Sequence, residues 1–320
     1  MKNKKKVVLI IGTGAIGAYL SKYLLKKKYN VVVTSRSIKK TYLNYKKLSI
    51  SKKINFIKLN VLSKYEVKNI IEKIEPTYIY YFAGISSITK SFKYPKQTYE
   101  SNYLGAKNFL DVLRKKKSEI KFFKANSAYI FNPNHKKISL KSNLIKPNSP
   151  YVSSQIKAFK EIKKYRNFGL NCYSIIFFNI ESPIRDKDFF IKKICLGINK
   201  IKNNKIKNNK IKVGNLKSVR DFGWAPEIVK AVYLMLKIKP CDLILGTGKG
   251  ISTREILKLI FAYKKLDYKN FIIIDRNLLR KNENNFIVSN MRETLQKLNK
   301  WNWKPKIFGK KLILKMYKTI

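Results

Sequence analysis

A glycine-rich turn near the start of the chain has the spacing of a phosphate-binding loop. Gly12, Gly14 and Gly17 form a G-x-G-x-x-G pattern that follows the apolar run VVLII and precedes a helix-like stretch. At such a turn, backbone N–H groups and the positive end of a helix dipole hold a pyrophosphate. The alternative is that the glycines only permit tight packing of strand against helix. The position between strand and helix favours a dinucleotide site.

The end of the next apolar run indicates which dinucleotide is bound. The run NVVVTS ends at Ser35 and is followed by Arg36, without an Asp or Glu at this point. An acidic residue there would bind the ribose 2′-hydroxyl of NAD, whereas a guanidinium suits the 2′-phosphate of NADP. The sequence therefore predicts NADP as the cofactor. The alternative is that Arg36 is one more surface cation.

A serine and a tyrosine stand at the ends of two later elements. Ser127 lies just past a strand-like run, and Tyr151 begins a helix after Pro150. Such a pair can bind a substrate hydroxyl or carbonyl and exchange its proton. Because tyrosine titrates near 10, that role needs a neighbouring cation. Gln155 stands one helical turn after Tyr151, and Lys157 lies about 240° around the helix from it, so neither places a cation beside the phenol. The alternative that Tyr151 has a purely structural role therefore stays open.

The histidine and cysteine content argues against several other chemistries. His135 is the only histidine and lies in the polar stretch NPNHKK, which is typical of an exposed loop. A metal site or a catalytic triad is therefore not expected. The three cysteines are widely spaced and include no C-x-x-C pair, which argues against disulfides and favours a reducing compartment. We expect a cytoplasmic protein, and the alternative of a signal peptide at residues 1–20 is weakened by the glycines in its apolar run.

Strand-like and helix-like patterns alternate through the first half of the chain. This order and the continuous apolar runs predict an α/β fold with a Rossmann-type doubly wound parallel sheet. The expected strands lie at about 7–11, 30–35, 54–60, 77–83, 120–125, 171–178 and 242–248, with a long helix around 97–116. We predict a Rossmann domain at 1–178 plus about 221–248. The remaining parts, about 179–220 and 249–320, would form a smaller interleaved lobe that binds the substrate.

The net charge is strongly positive. The chain has 71 Lys and Arg against 18 Asp and Glu, a formal charge of +53. Such a charge suits nucleic-acid binding, but the lysines are spread over the whole chain without an arginine-rich stripe or an RNA-binding motif. Abundant Lys, Asn and Ile, most visible in the repeat at 199–212, favour compositional drift. An anionic small substrate would still benefit from this field.

Several longer segments together resemble the extended short-chain dehydrogenase/reductases, and within them the GDP-mannose 4,6-dehydratases. The similarity covers nearly the whole chain. It includes the glycine turn, YIYYFAGISS (78–87), SNYLGAKNFLDVLR (101–114), FFKANSAYIF (122–131), NSPYVSSQ (148–155), FFNIESPIR (177–185), VGNLKSVRDFGW (213–224) and the closing WNWKP. The segments FNIESPIR and GNLKSVRDFGW are the most specific, because they resemble family segments that line the nucleotide-sugar pocket.

The resemblance implies a set of site residues. Ser127 and Tyr151 match the catalytic serine or threonine and the tyrosine, and Tyr129 and Gln155 stand where the family has a glutamate base and a lysine. Expected cofactor contacts are Gly12, Gly14, Ile16, Gly17, Arg36, Asn60, Ala83 and Tyr151. Asn179, Lys193, Asn215 and Arg220 would contact the sugar nucleotide, chiefly its diphosphate, while Arg280 and Glu283 would reach the nucleoside.

These matches imply an enzyme that oxidises C4 of a GDP-hexose with NADP, eliminates water across C5 and C6, and returns the hydride to C6. The resemblance also implies a homo-oligomer, a dimer or a tetramer, with a dimer preferred. Since Tyr129 and Gln155 replace a carboxylate and a cation, two alternatives stay open: a 4-keto-sugar reductase or epimerase, and a catalytically impaired sugar-nucleotide-binding homologue. The lysine-rich surface leaves a third alternative, a nucleic-acid-binding protein.

Overall fold

A seven-stranded parallel sheet forms the centre of the molecule in the computed structural model, which describes residues 6–133, 137–202, 210–279 and 284–320. The strand order is β10-β6-β5-β4-β1-β2-β3. The strands are β1 Val7–Ile11, β2 Asn30–Ser35, β3 Asn55–Lys58, β4 Tyr78–Tyr81, β5 Lys121–Ser127, β6 Cys172–Phe177 and β10 Asp242–Leu245. The predicted α/β Rossmann-type fold is confirmed. Because the order reverses beside β1, a crevice opens there at the carboxyl ends of the strands.

Helices cover both faces of this sheet, which explains why its strands are apolar throughout. On one face, the rings of Tyr80, Phe123 and Tyr173 stack with centroid distances of 4.6 and 4.4 Å. On the other face, Tyr81 and Phe122 pack with Phe109. The helices are α1 Ala15–Lys26, α2 Ile38–Lys47, α3 Lys64–Ile74, α4 Ile88–Lys93, α5 Pro95–Tyr99, α6 Gly105–Lys115, α7 Pro150–Asn167, α8 Phe190–Lys202, α9 Ala225–Leu234, α10 Thr253–Ala262, α11 Arg292–Leu298 and α12 Gly309–Lys318.

The long helix expected around 97–116 is interrupted. Between α5 and α6 the chain forms one π-helical turn at Glu100–Leu104. This wider turn directs Asn102 inward, where its Nδ2 donates to Ile85 O and to Ser154 Oγ, both at 3.1 Å. The interruption therefore ties the connection after β4 to α7. Single π turns of this kind are frequent at functional sites.

A smaller lobe lies over the carboxyl ends of the central strands. Its main sheet is centred on β9, which pairs with β7, β11 and β13, and a second sheet pairs β8 with β12. The strands are β7 Asn179–Glu181, β8 Ile211–Val213, β9 Val219–Trp224, β11 Gly250–Ser252, β12 Ile272–Ile274 and β13 Phe286–Ile287. The predicted return to the Rossmann domain at about 221 falls inside β9, whose pairing partners all belong to the lobe. After β9 the chain returns through α9, which packs on α1, to β10.

One buried carboxylate fastens the lobe to the central sheet. Asp221, in the middle of β9, is fully buried and accepts hydrogen bonds from the backbone N–H groups of Thr247, Gly248 and Ser289. The hydroxyls of Thr247 and Ser289 donate to it as well. Thr247 and Gly248 follow β10, so this carboxylate joins the edge of the sheet to the lobe. Across the described ranges, no helix is both long and apolar enough to cross a bilayer.

We expect Asp221→Asn to destabilise the protein by about 2–4 kcal/mol, because an amide turns its own N–H₂ toward donors that need an acceptor. The free energy of unfolding from urea denaturation measures this. The matched control is Asp188→Asn, since Asp188 is exposed and forms a surface ion pair with Lys90 at 2.8 Å. This control is expected to cost at most about 1 kcal/mol. Equal losses in the two variants would contradict the role given to Asp221.

Candidate active site

The glycine turn has room for a phosphate group and for little else. Gly12 has a φ of +98°, and a Cβ there would lie 2.5 Å from the backbone nitrogen of Ala83, so only glycine fits. Gly14 caps the N-terminus of α1, and no atom lies within 4 Å of the position its Cβ would take. Gly14 thus leaves open space at the start of the helix, where the backbone N–H groups of the first turn suit an anion. The residues present therefore fit the pyrophosphate of a dinucleotide.

A single cavity of about 1080 Å³ extends from this turn to the lobe. It brings together every predicted site residue in the described ranges. These are Gly12, Gly14, Ile16, Gly17, Arg36, Asn60, Ala83, Ser127, Tyr129, Tyr151, Gln155, Asn179, Lys193, Asn215 and Arg220. The predicted nucleoside contacts Arg280 and Glu283, and the lone His135, lie outside the described residues.

Arg36 and Asn60 lie at the outer end of the cavity, past the ends of β2 and β3. The Arg36 side chain is exposed, and both residues also line a neighbouring recess with Glu66. Glu66 accepts a hydrogen bond from the Asn60 backbone N–H at 2.9 Å, which fixes the loop. The exposed Arg36 guanidinium lines the same cavity as the glycine turn and suits an additional phosphate.

Ser127 and Tyr151 meet in the middle of the cavity. Ser127 is the last residue of β5, and Tyr151 lies in the first turn of α7, where the Ser149 side chain caps the helix by accepting from Val152 N at 3.2 Å. Burial raises the pKa of Tyr151 to about 12, although a hydrogen bond with Ser127 and the Arg185 cation act in the opposite direction. The phenol thus needs further positive charge before it can release a proton near neutral pH.

The helix position one turn after Tyr151 supplies no such charge. Gln155 is buried, and its Oε1 has no hydrogen-bond partner among the described residues. Lys157 points away from the cavity, as its angular position predicted, and its Nζ lies 4.7 Å from the ring centre of Tyr99. α7 therefore brings the tyrosine to the site without bringing a lysine.

Tyr129 lies beside the Ser127–Tyr151 pair, at the lobe side. Its hydroxyl oxygen accepts a hydrogen bond from Arg220 Nε at 3.1 Å, and its backbone N–H donates to Ser127 Oγ at 3.3 Å. The Arg220 side chain is buried on β9, next to Asp221. The carboxylate that holds β9 in place therefore also sets the position of the guanidinium at Tyr129.

The lobe contributes polar groups to the far end of the cavity. Asn179 begins β7, and its Nδ2 is buried without a partner among the described residues. Lys193 on α8 donates to Lys212 O at 2.7 Å, and burial lowers its pKa. Asn215 follows β8 and donates to Asn285 Oδ1 at 2.7 Å. Amide and ammonium donors at this end suit a diphosphate.

Lys124, Glu181 and Arg185 are charged residues of the cavity that the sequence-based set lacks. Lys124 on β5 is 1% exposed, and burial lowers its pKa to about 7. Glu181 on β7 is buried as well, which raises its pKa to about 7, and its Oε1 lies 3.8 Å from Arg185 Nε. The sequence contains signals for these residues. The segment FFKANS places Lys124 within an apolar strand, and the segment ESPIR places Glu181 and Arg185, which carry opposite charges, four residues apart.

Comparison with known proteins agrees with this geometry. The parallel sheet, the glycine turn and the Ser–Tyr pair define an extended short-chain dehydrogenase/reductase. A model of the GDP-mannose 4,6 dehydratase family matches residues 9–316, so the chain belongs to this family. GDP-mannose 4,6 dehydratase 1 of Arabidopsis thaliana is 29% identical over 98% of this chain and 89% of its own length. The human GDP-mannose 4,6 dehydratase is 26% identical over 99% of this chain and 91% of its own.

Solved structures share the fold. The dTDP-glucose 4,6-dehydratase of Bacillus anthracis, in complex with NAD, superposes with a TM-score of 0.81 at 17% identity, covering 98% of this chain and 96% of that one. The UDP-glucose 4-epimerase of Thermus thermophilus, also with NAD, gives a TM-score of 0.78 at 20% identity over 98% and 99%. The predicted family is thus confirmed by sequence and the fold by structure.

Alanine substitutions at Gly12 and Gly14 are expected to have different effects, one on folding and the other on dinucleotide binding. Gly14→Ala is expected to change the free energy of unfolding by less than about 0.5 kcal/mol and to weaken dinucleotide binding at least about tenfold, because the methyl group fills the phosphate space. Gly12→Ala is expected to lower the unfolding temperature, since its Cβ would strike Ala83. Calorimetric titration and thermal unfolding measure the two effects. Unchanged dinucleotide affinity in Gly14→Ala would contradict the assignment.

Proposed function

We propose that the chain is an NADP-dependent GDP-sugar 4,6-dehydratase that acts on GDP-mannose or a close relative. The observation that supports this most is the family match over residues 9–316, together with one cavity that joins the glycine turn to the polar lobe. Ser127 and Tyr151 lie between the two ends, where a sugar ring would meet the cofactor. When bound, NADP supplies a hydride acceptor and donor.

Each end of the cavity binds one ligand. Backbone N–H groups after Gly14 bind the pyrophosphate of the dinucleotide, and the Arg36 guanidinium binds its 2′-phosphate. Asn179, Lys193 and Asn215 hold the diphosphate of the sugar nucleotide from the lobe side. Arg280 and Glu283 remain the residues proposed for the nucleoside on the basis of the sequence resemblance.

The residues in the middle move protons. Ser127 hydrogen-bonds the C4 oxygen of the sugar, and Tyr151 takes the proton of the C4 hydroxyl as that carbon is oxidised. Tyr129 is the group proposed to act at C5 during loss of water, with its oxygen held by Arg220. A phenol titrates near 10 in water, so we expect elimination to be slower here than with a carboxylate base.

The choice of NADP depends on Arg36. We expect Arg36→Ala to weaken NADP binding by about 10- to 100-fold, because a charge-assisted phosphate contact is worth about 1.5–3 kcal/mol, while NAD binding changes little. Fluorescence titration with both dinucleotides measures this. Lys52→Ala, at an exposed lysine outside the cavity, is the control. Equal affinities of the native chain for NAD and NADP would contradict the proposal.

Incubation of the protein with GDP-mannose and NADP is expected to yield a GDP-4-keto-6-deoxy sugar, detected by mass spectrometry as a loss of water. Tyr151→Phe should lower the rate by roughly 10²–10⁴-fold, since it removes the proton acceptor. Tyr263→Phe, at an exposed tyrosine outside the cavity, should leave the rate unchanged. Absence of product at high enzyme concentration would overturn the dehydratase proposal. An epimerised or reduced sugar would instead assign the chain to the alternative chemistry.

A further inference from the structure

Lys124 occupies an unusual position for a lysine. It lies on β5, three residues before Ser127, and is 1% exposed, whereas buried lysines in proteins are almost always paired. Its Nζ donates to Ala125 O and lies 5.6 Å from the ring centre of Tyr81. Within the described ranges, no carboxylate lies at ion-pair distance from it. A cation buried in this way costs folding free energy unless it serves another purpose.

Polar atoms that lack partners line the same cavity. The side-chain oxygens of Asn102, Asn126 and Gln155 are buried, and none has a hydrogen-bond partner among the described residues. An ammonium group has three N–H donors, and only one of Lys124 is used in the described contacts. Lys124 is therefore a cation of this cavity with donors to spare, and three amide oxygens of the same cavity lack donors among the described residues.

Tyr151 is the group in this cavity that requires a cation. The groups that act on it are Ser127, Tyr129 and Arg185, from β5, the turn after it and the segment after β7. Arg185 is shared with other partners, because it donates to Ile180 O at 2.6 Å, lies 3.8 Å from Glu181 and stacks on Phe189. With Arg185 in place the pKa of Tyr151 still stands at about 12.

We propose that Lys124 is a positioning residue that supplies, from strand β5, the positive charge that Gln155 on helix α7 does not provide. In this proposal the Gln155 amide connects the two sites: its oxygen, which has no partner among the described residues, takes a hydrogen bond from the ammonium when substrate binds, and its N–H₂ donates toward the reacting centre. The charge of Lys124 favours the phenolate form of Tyr151 when the C4 hydroxyl gives up its proton. This role rests on the proposed function, because it concerns the proton that Tyr151 accepts.

The proposal predicts that turnover requires a lysine at either position 124 or position 155, and that lysines at both positions give no further increase in rate. Lys124→Gln should lower kcat with GDP-mannose about 100-fold, leave KM within about threefold, and move the ascending limb of the pH–rate profile by at least about one unit to higher pH. Adding Gln155→Lys to Lys124→Gln should restore at least about a tenth of the native rate. Gln155→Lys alone should not raise the rate.

Lys121 provides the matched control on the same strand. It lies outside the cavity and donates to Leu236 O at 2.7 Å. Lys121→Gln should leave kcat and the pH profile unchanged. If Lys124→Gln keeps the native rate and pH profile, or if Gln155→Lys fails to rescue it, Lys124 has no such role.

Thermal unfolding measures the effect of the buried Lys124 charge on stability and does not require turnover. Burial lowers the pKa of Lys124 to about 7, and in the unfolded chain a lysine titrates near about 10.4. Between these pH values the unfolded chain binds the additional proton, so Lys124 lowers stability there, and its cost is greatest at and below pH 7. Lys124→Met should therefore raise the unfolding temperature at pH 7, and the gain should shrink toward pH 10. A loss of stability that is independent of pH would identify a structural lysine and overturn the proposal.

The turnover measurements and the unfolding measurements together distinguish a failure of this inference from a failure of the proposed function. If the native chain does not convert GDP-mannose, the proposed function fails, while the unfolding arm still measures the cost of burying Lys124. If the native chain is active and Lys124→Gln is equally active, the function stands and the role of Lys124 fails.

Discussion

The buried carboxylate of Asp221 is the interaction on which the site depends. It gathers five hydrogen bonds from the segment after β10 and from Ser289, and so fixes β9 above the edge of the central sheet. The side chains that face the glycine turn from the lobe are placed by that strand and its neighbours. Arg220, adjacent to Asp221, reaches Tyr129 for this reason. Without this anchorage the two ends of the cavity would not be held at a fixed separation.

Within the cavity, burial sets the charge states. Removing water raises the pKa of Tyr151 and Glu181 and lowers that of Lys124. All three groups are therefore less charged at neutral pH than they would be in water, and a bound anion or a neighbouring charge can shift them. Burial thus brings the pKa of Lys124 and Glu181 close to neutral pH, whereas it moves that of Tyr151 further away, so Tyr151 depends on neighbouring positive charge.

Local sequence patterns predicted the parts of the site that depend on local geometry. The glycine turn and the strand ends at Arg36 and Ser127 follow from short apolar runs and their boundaries, and the position of Tyr151 follows from a helix start. The π turn at Glu100–Leu104, the five donors around Asp221 and the burial of Lys124 depend on contacts between distant segments. No periodicity encodes such contacts. For the same reason the boundary predicted at about 221 falls inside the strand Val219–Trp224, since the partners of this strand lie far away in sequence.

The most direct test of the central claim, that a sugar nucleotide and a dinucleotide face each other across Ser127 and Tyr151, follows a single hydride. GDP-mannose carrying deuterium at C4 is converted in ordinary water with catalytic NADP, and the product is examined by mass spectrometry and NMR. The account predicts a 4-keto-6-deoxy product that carries the deuterium at C6, because the hydride leaves C4 and returns to the same sugar. A product without deuterium, or no product at all, would contradict it.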